Sequence, residues 1–245
     1  MRTDTEKTIF LREKMLLGEE AMERLKTARV AVFGLGGVGS WCAESLVRAG
    51  IGELILIDCD EFSFTNINRQ SGAAFSTAGK MKADVMAERV KDINPEISVT
   101  PVNELYSAKS KGRFFSEGNT YSYVADCIDL VSAKIDLIMT CRNLKIPIIS
   151  ALGTGNKKDA QQLEISDISK TYGDALARVM RKELRARGVE HHTVVFSPEE
   201  PMQAEQCETP PPGRRSIPGS LVWVPASAGF LITQHIVTEL IKNKE

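Results

Sequence analysis

Short apolar runs alternate with longer amphipathic stretches through the first 150 residues. The runs are rich in β-branched residues and stop near glycine, proline or aspartate, which is typical of buried strands. They predict strands at 30–33, 54–57, 97–102, 121–126 and 146–151. Between them, helical spacing of apolar residues predicts helices from about residue 38, at 80–93 and at 131–143. This alternation predicts an α/β fold with a mostly parallel sheet and helices on both faces.

The two ends of the chain follow other patterns. Residues 8–27 have helical spacing that Gly18 interrupts. In the C-terminal half we predict an antiparallel extension of the sheet, with edge strands at 162–165 and 193–196. Residues 198–219 are rich in proline and glycine and are predicted to form a mobile loop.

The last predicted elements are two helices and a strand. The helix at 174–187 is expected to turn four side chains inward, namely Leu176, Val179, Met180 and Leu184. A strand at 221–224 and a helix at 226–241 are predicted to follow the loop. We assign both tryptophans, Trp41 and Trp223, to the core.

We therefore expect one domain over residues 1–245, a length ample for a sizeable core. It would consist of an N-terminal helical segment at 1–27, a nucleotide-binding core at 28–155 and a C-terminal extension at 156–245.

The first strand leads directly into a glycine-rich turn, Gly34-Leu35-Gly36-Gly37-Val38-Gly39. Glycines allow a tight turn and let a phosphate approach backbone N–H groups at a helix start. Asp58 follows the next strand about 20 residues later, where a carboxylate can bind ribose hydroxyls. The candidate nucleotide-binding residues are therefore Gly34, Gly36, Gly37, Gly39 and Asp58. This motif alone fits NAD or FAD equally well.

Two cations beyond this motif change the interpretation. Arg69 lies eleven residues after Asp58, and Lys82 follows in Lys80-Met81-Lys82. A dinucleotide site has no need of these charges, whereas a substrate with more phosphate charge does. The cations therefore favour a substrate with more phosphate charge than NAD carries.

These motifs together resemble the adenylating domain of the ubiquitin-activating-enzyme (ThiF, MoeB and HesA) superfamily. The resemblance rests on the glycine turn, Asp58-x-Asp60, residues 65–70 (TNINRQ) and residues 79–82 (GKMK). Within the superfamily, residues 93–96, 123–129 and 146–150 and a cysteine-poor C-terminal half are most similar to the tRNA threonylcarbamoyladenosine dehydratases. The resemblance covers about residues 10–240 and implies a Rossmann-like sheet.

The resemblance also implies roles for individual residues. Arg69 and Lys82 match a phosphate-contacting pair, and Asp129 matches a magnesium-associated aspartate. Arg12 matches an arginine that reaches the nucleotide of a partner subunit. The family's further arginine, three residues earlier, is Ile9 here. The remaining candidate nucleotide-binding residues are Asp60, Asn66, Asn68, Gln70 and Asp126.

Each of the two arginines also has a structural alternative. Arg69 could form an ion pair with an acid, and Arg12 could be a solvated cation on an amphipathic helix.

The implied activity is an ATP- and Mg²⁺-dependent dehydratase. Such an enzyme adenylates the carboxylate of threonylcarbamoyladenosine in tRNA and closes a ring with release of AMP. The resemblance also implies a homodimer. An alternative is an adenylyltransferase for the C-terminal glycine of a ubiquitin-like sulfur carrier, with a sulfur-transfer partner, although zinc-binding cysteine pairs are missing. A non-catalytic nucleotide-binding partner subunit is a third hypothesis.

Charge and cysteine content limit the partners and the compartment. The net charge is −1, so a tRNA would have to meet a local basic patch. One candidate is the stripe Arg178, Arg181, Lys182 and Arg185, joined by Arg187, Arg214 and Arg215; the alternative is a solvated helix face. The five cysteines form no C-x-x-C pair, and neither a signal peptide nor a membrane span is apparent. We therefore expect a cytoplasmic protein with no membrane partner.

Three further groups could take part in chemistry. Cys207 in the loop could accept an acyl group as a thioester, but Glu205 and Glu208 disfavour the thiolate that this needs. Cys59 and Cys127 are expected to be packed at strand ends. The pair at 191–192 (HH) could suggest a metal, but a surface position at a strand end fits its isolation better.

Overall fold

The chain folds around one seven-stranded sheet. The structure is a computed structural model that describes residues 9–116, 120–205, 207, 209 and 216–242. The strand order is β3-β2-β1-β4-β5-β7-β6. In chain order the strands are β1 (Arg29–Phe33), β2 (Glu53–Ile57), β3 (Ser98–Val102), β4 (Tyr123–Asp126), β5 (Ile148–Ala151), β6 (Glu164–Asp167) and β7 (Thr193–Phe196).

Helices cover both faces of this sheet. In the described residues they are α1 (Leu11–Leu17), α2 (Glu19–Thr27), α3 (Gly39–Arg48), α4 (Lys82–Ile93), α5 (Lys111–Phe114), α6 (Val131–Asn143), α7 (Ala175–Arg185) and α8 (Trp223–Ile241). Helices α3, α4 and α8 contribute to the core on one face, and α5, α6 and α7 to the core on the other. Within β1, Val30 and Val32 belong to the first core, and Ala31 and Phe33 to the second. Because both faces are covered, the inner strands β2, β1, β4, β5 and β7 are mostly buried and apolar.

The topology defines where a ligand is expected. Strand β1 pairs in parallel with β2 on one side and with β4 on the other, so the chain reverses its direction of winding between β1 and β4. Open α/β sheets bind ligands at the carboxyl ends of the strands beside such a switch point. The glycine turn follows β1 directly and therefore lies at this point.

Most of the predicted elements are confirmed. The first five strands lie within two residues of the predicted ranges, and Gly18, with φ of 82°, separates α1 from α2. Strand β6 pairs antiparallel with β7 at the sheet edge, which confirms the predicted extension. The described part of residues 198–219 contains no helix or strand.

The predicted strand at 221–224 is wrong, because α8 already begins at Trp223. Pro225 is the third residue of this helix, a position where proline is tolerated because its missing N–H has no intrahelical partner. Val224 belongs to the same core as Ile232 and Ile236 of the helix.

Two predictions of buried side chains were also wrong. Trp223 is 50% exposed, and its indole Nε1 donates to the carbonyl of Lys158 at 2.7 Å. On α7, Val179 is 44% exposed, whereas Ala177 is buried together with Met180 and Leu184. The buried stripe thus follows the spacing 177, 180 and 184, which leaves Val179 on the outer side of the helix.

The two consecutive histidines have different environments. The predicted surface position is correct for His191 and wrong for His192. His191 is exposed, with Nδ1 3.3 Å from Asp167 Oδ2. His192 is buried, and its Nε2 lies 2.8 Å from Ser150 Oγ. Burial lowers the pKa of His192 to about 3, because the charged ring would lose its hydration.

We expect acid to destabilise the fold through His192. An unfolded chain protonates this ring near pH 6.5, whereas the folded ring stays neutral down to about pH 3, so stability falls as pH drops through that window. Between pH 7 and pH 4, His192→Gln should lose about 3 kcal/mol less stability than the wild type. Urea unfolding at the two pH values measures this difference. His191→Gln is the matched control: it removes an exposed ring beside Asp167 and should change the dependence far less than His192→Gln does. An unchanged dependence in His192→Gln would contradict the assignment.

Candidate nucleotide-binding site

The glycine turn is held between β1, α3 and the loop after β4. Gly34 has φ of 87°, and a Cβ there would lie 2.7 Å from the carbonyl oxygen of Cys127. A Cβ on Gly39 would lie 1.8 Å from the carbonyl oxygen of Gly34. Side chains are therefore excluded at both positions, which explains why the turn needs glycine where it packs against its own fold.

Gly36 is the glycine of the turn that leaves room for a ligand. Among the described residues, no atom lies within 4 Å of the place where a Cβ on Gly36 would be. On Gly37, a Cβ would lie 3.1 Å from Cβ of Pro225 and 3.7 Å from Cγ of Arg69, so both side chains lie against the turn at this position. Helix α3 begins without a side-chain cap, and the N–H of Ser40 donates to the carbonyl of Gly36 at 3.1 Å. The other N–H groups at the start of the helix are available to an anion. This arrangement fits a phosphate.

Asp58 connects the end of β2 to the glycine turn. Its Oδ2 accepts a hydrogen bond from the backbone N–H of Leu35 at 2.6 Å, and its Oδ1 accepts one from Asp60 at 2.9 Å. Each carboxylate oxygen has a second lone pair, so the group can still accept from ribose hydroxyls.

Lys82 and Asp60 form an ion pair beside Asp58. Lys82 Nζ lies 3.0 Å from Asp60 Oδ2; the lysine side chain is 8% exposed and the aspartate side chain 65%. The backbone N–H of Lys82 also donates to the carbonyl of Asp60 at 2.9 Å. The ammonium is thus fixed at the start of α4 and largely removed from bulk water. In this position its interaction with a phosphate would be screened less than in water.

Arg69 follows a short turn that Asn66 organises. The side chain of Asn66 accepts from the backbone N–H of Ser63 at 3.1 Å. Arg69 Nη1 donates to the carbonyl of Thr65 at 2.8 Å and to Asn68 Oδ1 at 2.9 Å. Burial lowers the pKa of Arg69, although a guanidinium keeps its charge. In the described residues its hydrogen bonds go to uncharged oxygens, and the alternative of an ion pair with an acid is not observed.

Gln70 completes this cluster. It is buried, and its Oε1 has no hydrogen-bond partner among the described residues. An unpaired buried oxygen costs about 1–3 kcal/mol, which a donor on a bound ligand would offset. The residue therefore fits a polar ligand better than an empty site.

Asp126 does not lie where a nucleotide could touch it. Its carboxylate is fully buried, with Oδ2 3.0 Å from Lys134 Nζ, and Oδ1 accepts from the N–H of Ile128 at 3.2 Å. Lys134, also fully buried, donates to the carbonyl of Ile128 at 3.0 Å. The pair fixes the loop that carries Asp129, whose own side chain is exposed. The sequence analysis missed Lys134, because a lysine inside a helix gives no signal of burial.

Arg12 is a second predicted site residue that the fold keeps from the nucleotide, in this case by distance. It is exposed on α1, and Phe10, just before that helix, lies beside Gly50 at the far end of α3. Helix α3 has ten residues and is therefore about 15 Å long, with the glycine turn at its other end. Arg12 thus does not reach the nucleotide site of its own chain.

Asn156 is a second residue that the sequence analysis missed. It has φ of 59°, a conformation that asparagine tolerates, and its Oδ1 accepts from the N–H of Gly219 at 2.6 Å. Its carbonyl accepts from Met202 at 2.7 Å. Asn68 donates to the carbonyl of Ser220 at 3.0 Å. Asn156 therefore holds the two ends of the loop together beside the residues that surround Arg69.

The cysteines near this site are poor nucleophiles. Cys59 is exposed, so its predicted packing is wrong, and Cys127 is half-buried. Burial and the neighbouring aspartates raise the pKa of Cys59. The adjacent Cys42 thiol and burial raise the pKa of Cys127. Cys207 is exposed; Arg214 and Arg215 lie outside the described residues.

The profile of the ThiF family matches residues 10–245. The chain belongs to the ThiF family. The tRNA threonylcarbamoyladenosine dehydratase of Bacillus subtilis (strain 168) is 38% identical over 245 residues, which covers 96% of each chain. The molybdopterin-synthase adenylyltransferase of Salmonella typhimurium is 36% identical over 150 residues, 60% of this chain and 59% of that protein.

Solved structures of a ThiF-family relative agree with this fold. Crystal structures of E. coli tRNA N6-threonylcarbamoyladenosine dehydratase in complex with ATP and with AMP each superpose with a TM-score of 0.86 at 36% identity. The match covers 96% of this chain and 94% of the other.

Among the described residues of this ThiF-family chain, no helix is both long and apolar enough to cross a membrane.

We expect Lys134→Met to destabilise this ThiF-family chain by about 3–5 kcal/mol, because it leaves the buried Asp126 carboxylate unpaired. Urea unfolding measures the loss. The double variant Asp126→Asn/Lys134→Met removes both charges and should recover part of that stability. A loss below about 1 kcal/mol in the single variant would show that the pair does not stabilise the loop before α6.

Proposed function

We propose that this chain is an ATP-dependent dehydratase that adenylates the carboxylate of threonylcarbamoyladenosine in tRNA and then cyclises it. The observation that carries the proposal is the convergence of the glycine turn, Asp58, Arg69 and Lys82 at the switch point of the sheet. The similarity to dehydratases along nearly the full chain supports the choice of substrate.

Adenylation brings negative charges together. An anionic carboxylate oxygen must attack the α-phosphate of ATP, and pyrophosphate must leave. Two unit charges 4 Å apart repel by about 4 kcal/mol at the effective dielectric of a protein surface. Cations directed at the transferring group reduce this barrier.

The residues of the site divide this work. The glycine turn and the start of α3 would bind phosphate, and Asp58 would bind the ribose. Lys82 and Arg69 would stabilise the charge on the transferring phosphate and on the pyrophosphate. Asp129, an exposed carboxylate at the same edge, fits the oxygen ligands that Mg²⁺ prefers and would hold that ion. When bound, Mg²⁺ supplies further positive charge to the phosphates.

The second step needs no protein thiol. An atom within the modified group attacks the activated carbonyl carbon and loses a proton, the bond to AMP breaks, and a ring closes. The net change in the substrate is the loss of water. The raised pKa values of Cys59 and Cys127 support this route, because neither thiol ionises readily.

We also propose that the enzyme is a homodimer in which Arg12 acts on the partner's nucleotide. Helix α1 has no buried residue and exposes three large apolar side chains, Leu11, Met15 and Leu16. A second copy that covers this helix would bury those side chains and bring Arg12 to the nucleotide that its own fold keeps from it. The free cysteines agree with a reducing compartment, the cytoplasm.

A second candidate is an adenylyltransferase for the C-terminal glycine of a sulfur-carrier protein, which would add a sulfur-transfer partner. The similarity to the Salmonella adenylyltransferase supports this candidate. ATP–pyrophosphate exchange separates the two when it is run with threonylcarbamoyladenosine-containing tRNA, with a carrier ending in di-glycine, and with neither. Exchange that requires the tRNA supports the dehydratase, and exchange only with the carrier would overturn it.

Arg69→Ala should lower adenylation at least about 100-fold, because it removes a cation from the transferring phosphate. Pyrophosphate exchange gives the rate, and urea unfolding should give wild-type stability within about 1 kcal/mol. The control is Arg113→Ala. It removes an exposed arginine of α5 that pairs with Glu104, and it should keep full activity. Wild-type exchange in Arg69→Ala would remove this residue from the site.

The dimer proposal predicts complementation between two inactive variants. Arg12→Ala and Arg69→Ala subunits, co-expressed with different tags and purified as the mixed dimer, contain one intact site. By symmetry the mixed dimer should recover about half of the wild-type activity. Each parent homodimer should remain inactive. A mixed dimer without activity would show that Arg12 does not act across an interface.

A further inference from the structure

We infer that the outer face of α7 binds the phosphate backbone of the tRNA substrate. This inference rests on the proposed function for the identity of the partner. The surface consists of Arg178, Lys182 and Arg185, which occupy positions i, i+4 and i+7 of the helix. They form a stripe about 10 Å long on one side of α7, which we call the α7 basic face.

All three side chains of the α7 basic face are exposed. Among the described residues, none of the three takes part in an ion pair or a side-chain hydrogen bond. Surface cations that form no ion pair remain available to an external anion. The chain as a whole has a net charge of −1, so this is a local concentration of charge rather than a general property of the surface.

Two other cations of the predicted stripe have other roles. Arg181 donates to the carbonyl and to the hydroxyl of Thr171 and so ties α7 to the preceding segment. Arg187 lies beyond the helix and pairs with Glu183 at 2.8 Å. The structure thus separates the stripe into cations that hold the fold together and cations that face outward.

A buried ion pair holds α7 in place relative to the nucleotide site. Asp174 caps the helix by accepting from the N–H of Ala177 at 2.6 Å. Its other oxygen lies 2.8 Å from Nζ of buried Lys157, which also donates to the carbonyl of Ser197 at 2.5 Å. A Cβ on Gly153, just after β5, would lie 3.2 Å from Asp174. The start of α7 is therefore fixed at the same edge of the sheet as the candidate site.

The position of the α7 basic face suits a substrate that contacts both the candidate nucleotide-binding site and α7. Strand β5 is two strands from β1, and neighbouring strands are about 4.8 Å apart, so the start of α7 lies on the order of 10 Å from the switch point. A nucleotide inserted at the carboxyl edge would leave the flanking backbone of its stem–loop above α6 and α7. An exposed aromatic residue, Tyr172, lies three residues before the start of the helix and could stack an unpaired base.

The helix dipole does not account for the whole pattern. Cations near a helix C-terminus interact favourably with the dipole, which would explain Lys182 and Arg185 in the last turn. Arg178 is the fourth residue of α7, close to the positive end, where a cation gains nothing from the dipole. An external polyanion accounts for all three positions.

The test is the salt dependence of tRNA binding. Threonylcarbamoyladenosine-containing tRNA is titrated with the full-length protein across a range of salt concentrations. The variant Arg178→Gln/Lys182→Gln/Arg185→Gln should bind at least about tenfold more weakly, and the slope of log K against log salt should fall in magnitude by about 2–3. The KM for tRNA should rise, whereas the KM for ATP should stay at the wild-type value. Glutamine keeps helix propensity, so circular dichroism should be unchanged.

A pair of single variants supplies the matched control. Lys182→Gln and Lys91→Gln each remove one exposed lysine from a helix, but Lys91 lies on α4, on the opposite face of the sheet. Only Lys182→Gln should reduce the salt slope, by about 1.

The outcomes separate this inference from the proposed function. If the triple variant has wild-type tRNA affinity and a wild-type salt slope, the inference that the α7 basic face binds tRNA is overturned. The proposed dehydratase activity is unaffected by that result. A wild-type protein that binds no tRNA and adenylates a di-glycine carrier overturns both. Loss of carrier binding rather than of tRNA binding in the triple variant would assign this face to an acidic protein and would also overturn the inference.

Discussion

The carboxylate of Asp58 is the interaction on which the candidate site depends. One oxygen holds the glycine turn through Leu35, and the other holds the backbone of Asp60, whose side chain pairs with Lys82. The proposed phosphate-binding turn, the proposed ribose-binding acid and the proposed phosphate-binding cation are thus connected through one group at the end of β2. Because the group is anchored to the sheet, these parts keep their spacing without help from a bound ligand, which is the meaning of preorganisation.

Two buried ion pairs extend this rigidity to either side. Lys134 and Asp126 fix the loop that carries Asp129, and Lys157 and Asp174 fix the start of α7. A buried pair adds little net stability compared with apolar packing, but the loss of one partner costs several kcal/mol. Their value here lies in position. Each pair fixes a segment at the carboxyl edge of the sheet, where the proposed chemistry takes place and where a tRNA would have to lie.

Within a single chain, the predicted site residues lie in two separate places. Arg69 and Lys82 lie at the carboxyl edge, whereas Arg12 lies on a helix with no buried residue, toward the far end of α3. The proposed homodimer would account for both facts, since it would cover the apolar helix and supply the arginine from the other subunit. The proposed activity would then depend on dimer assembly, and the apolar side chains of α1 would be exposed only in the isolated subunit.

The sequence by itself determined the sheet, the glycine turn and the cations of the site. These signals are local, because strand periodicity, the steric needs of a turn and the order of a motif lie within a few consecutive residues. Only the tertiary structure decided that Asp126 is buried beneath the site, that His192 is neutral in the core and that Asn156 holds the loop. Each of these outcomes depends on partners distant in the sequence, such as Ser150 for His192 and Gly219 for Asn156. A side chain's burial and charge are set by what the fold packs around it, and no pattern of neighbouring residues contains that information.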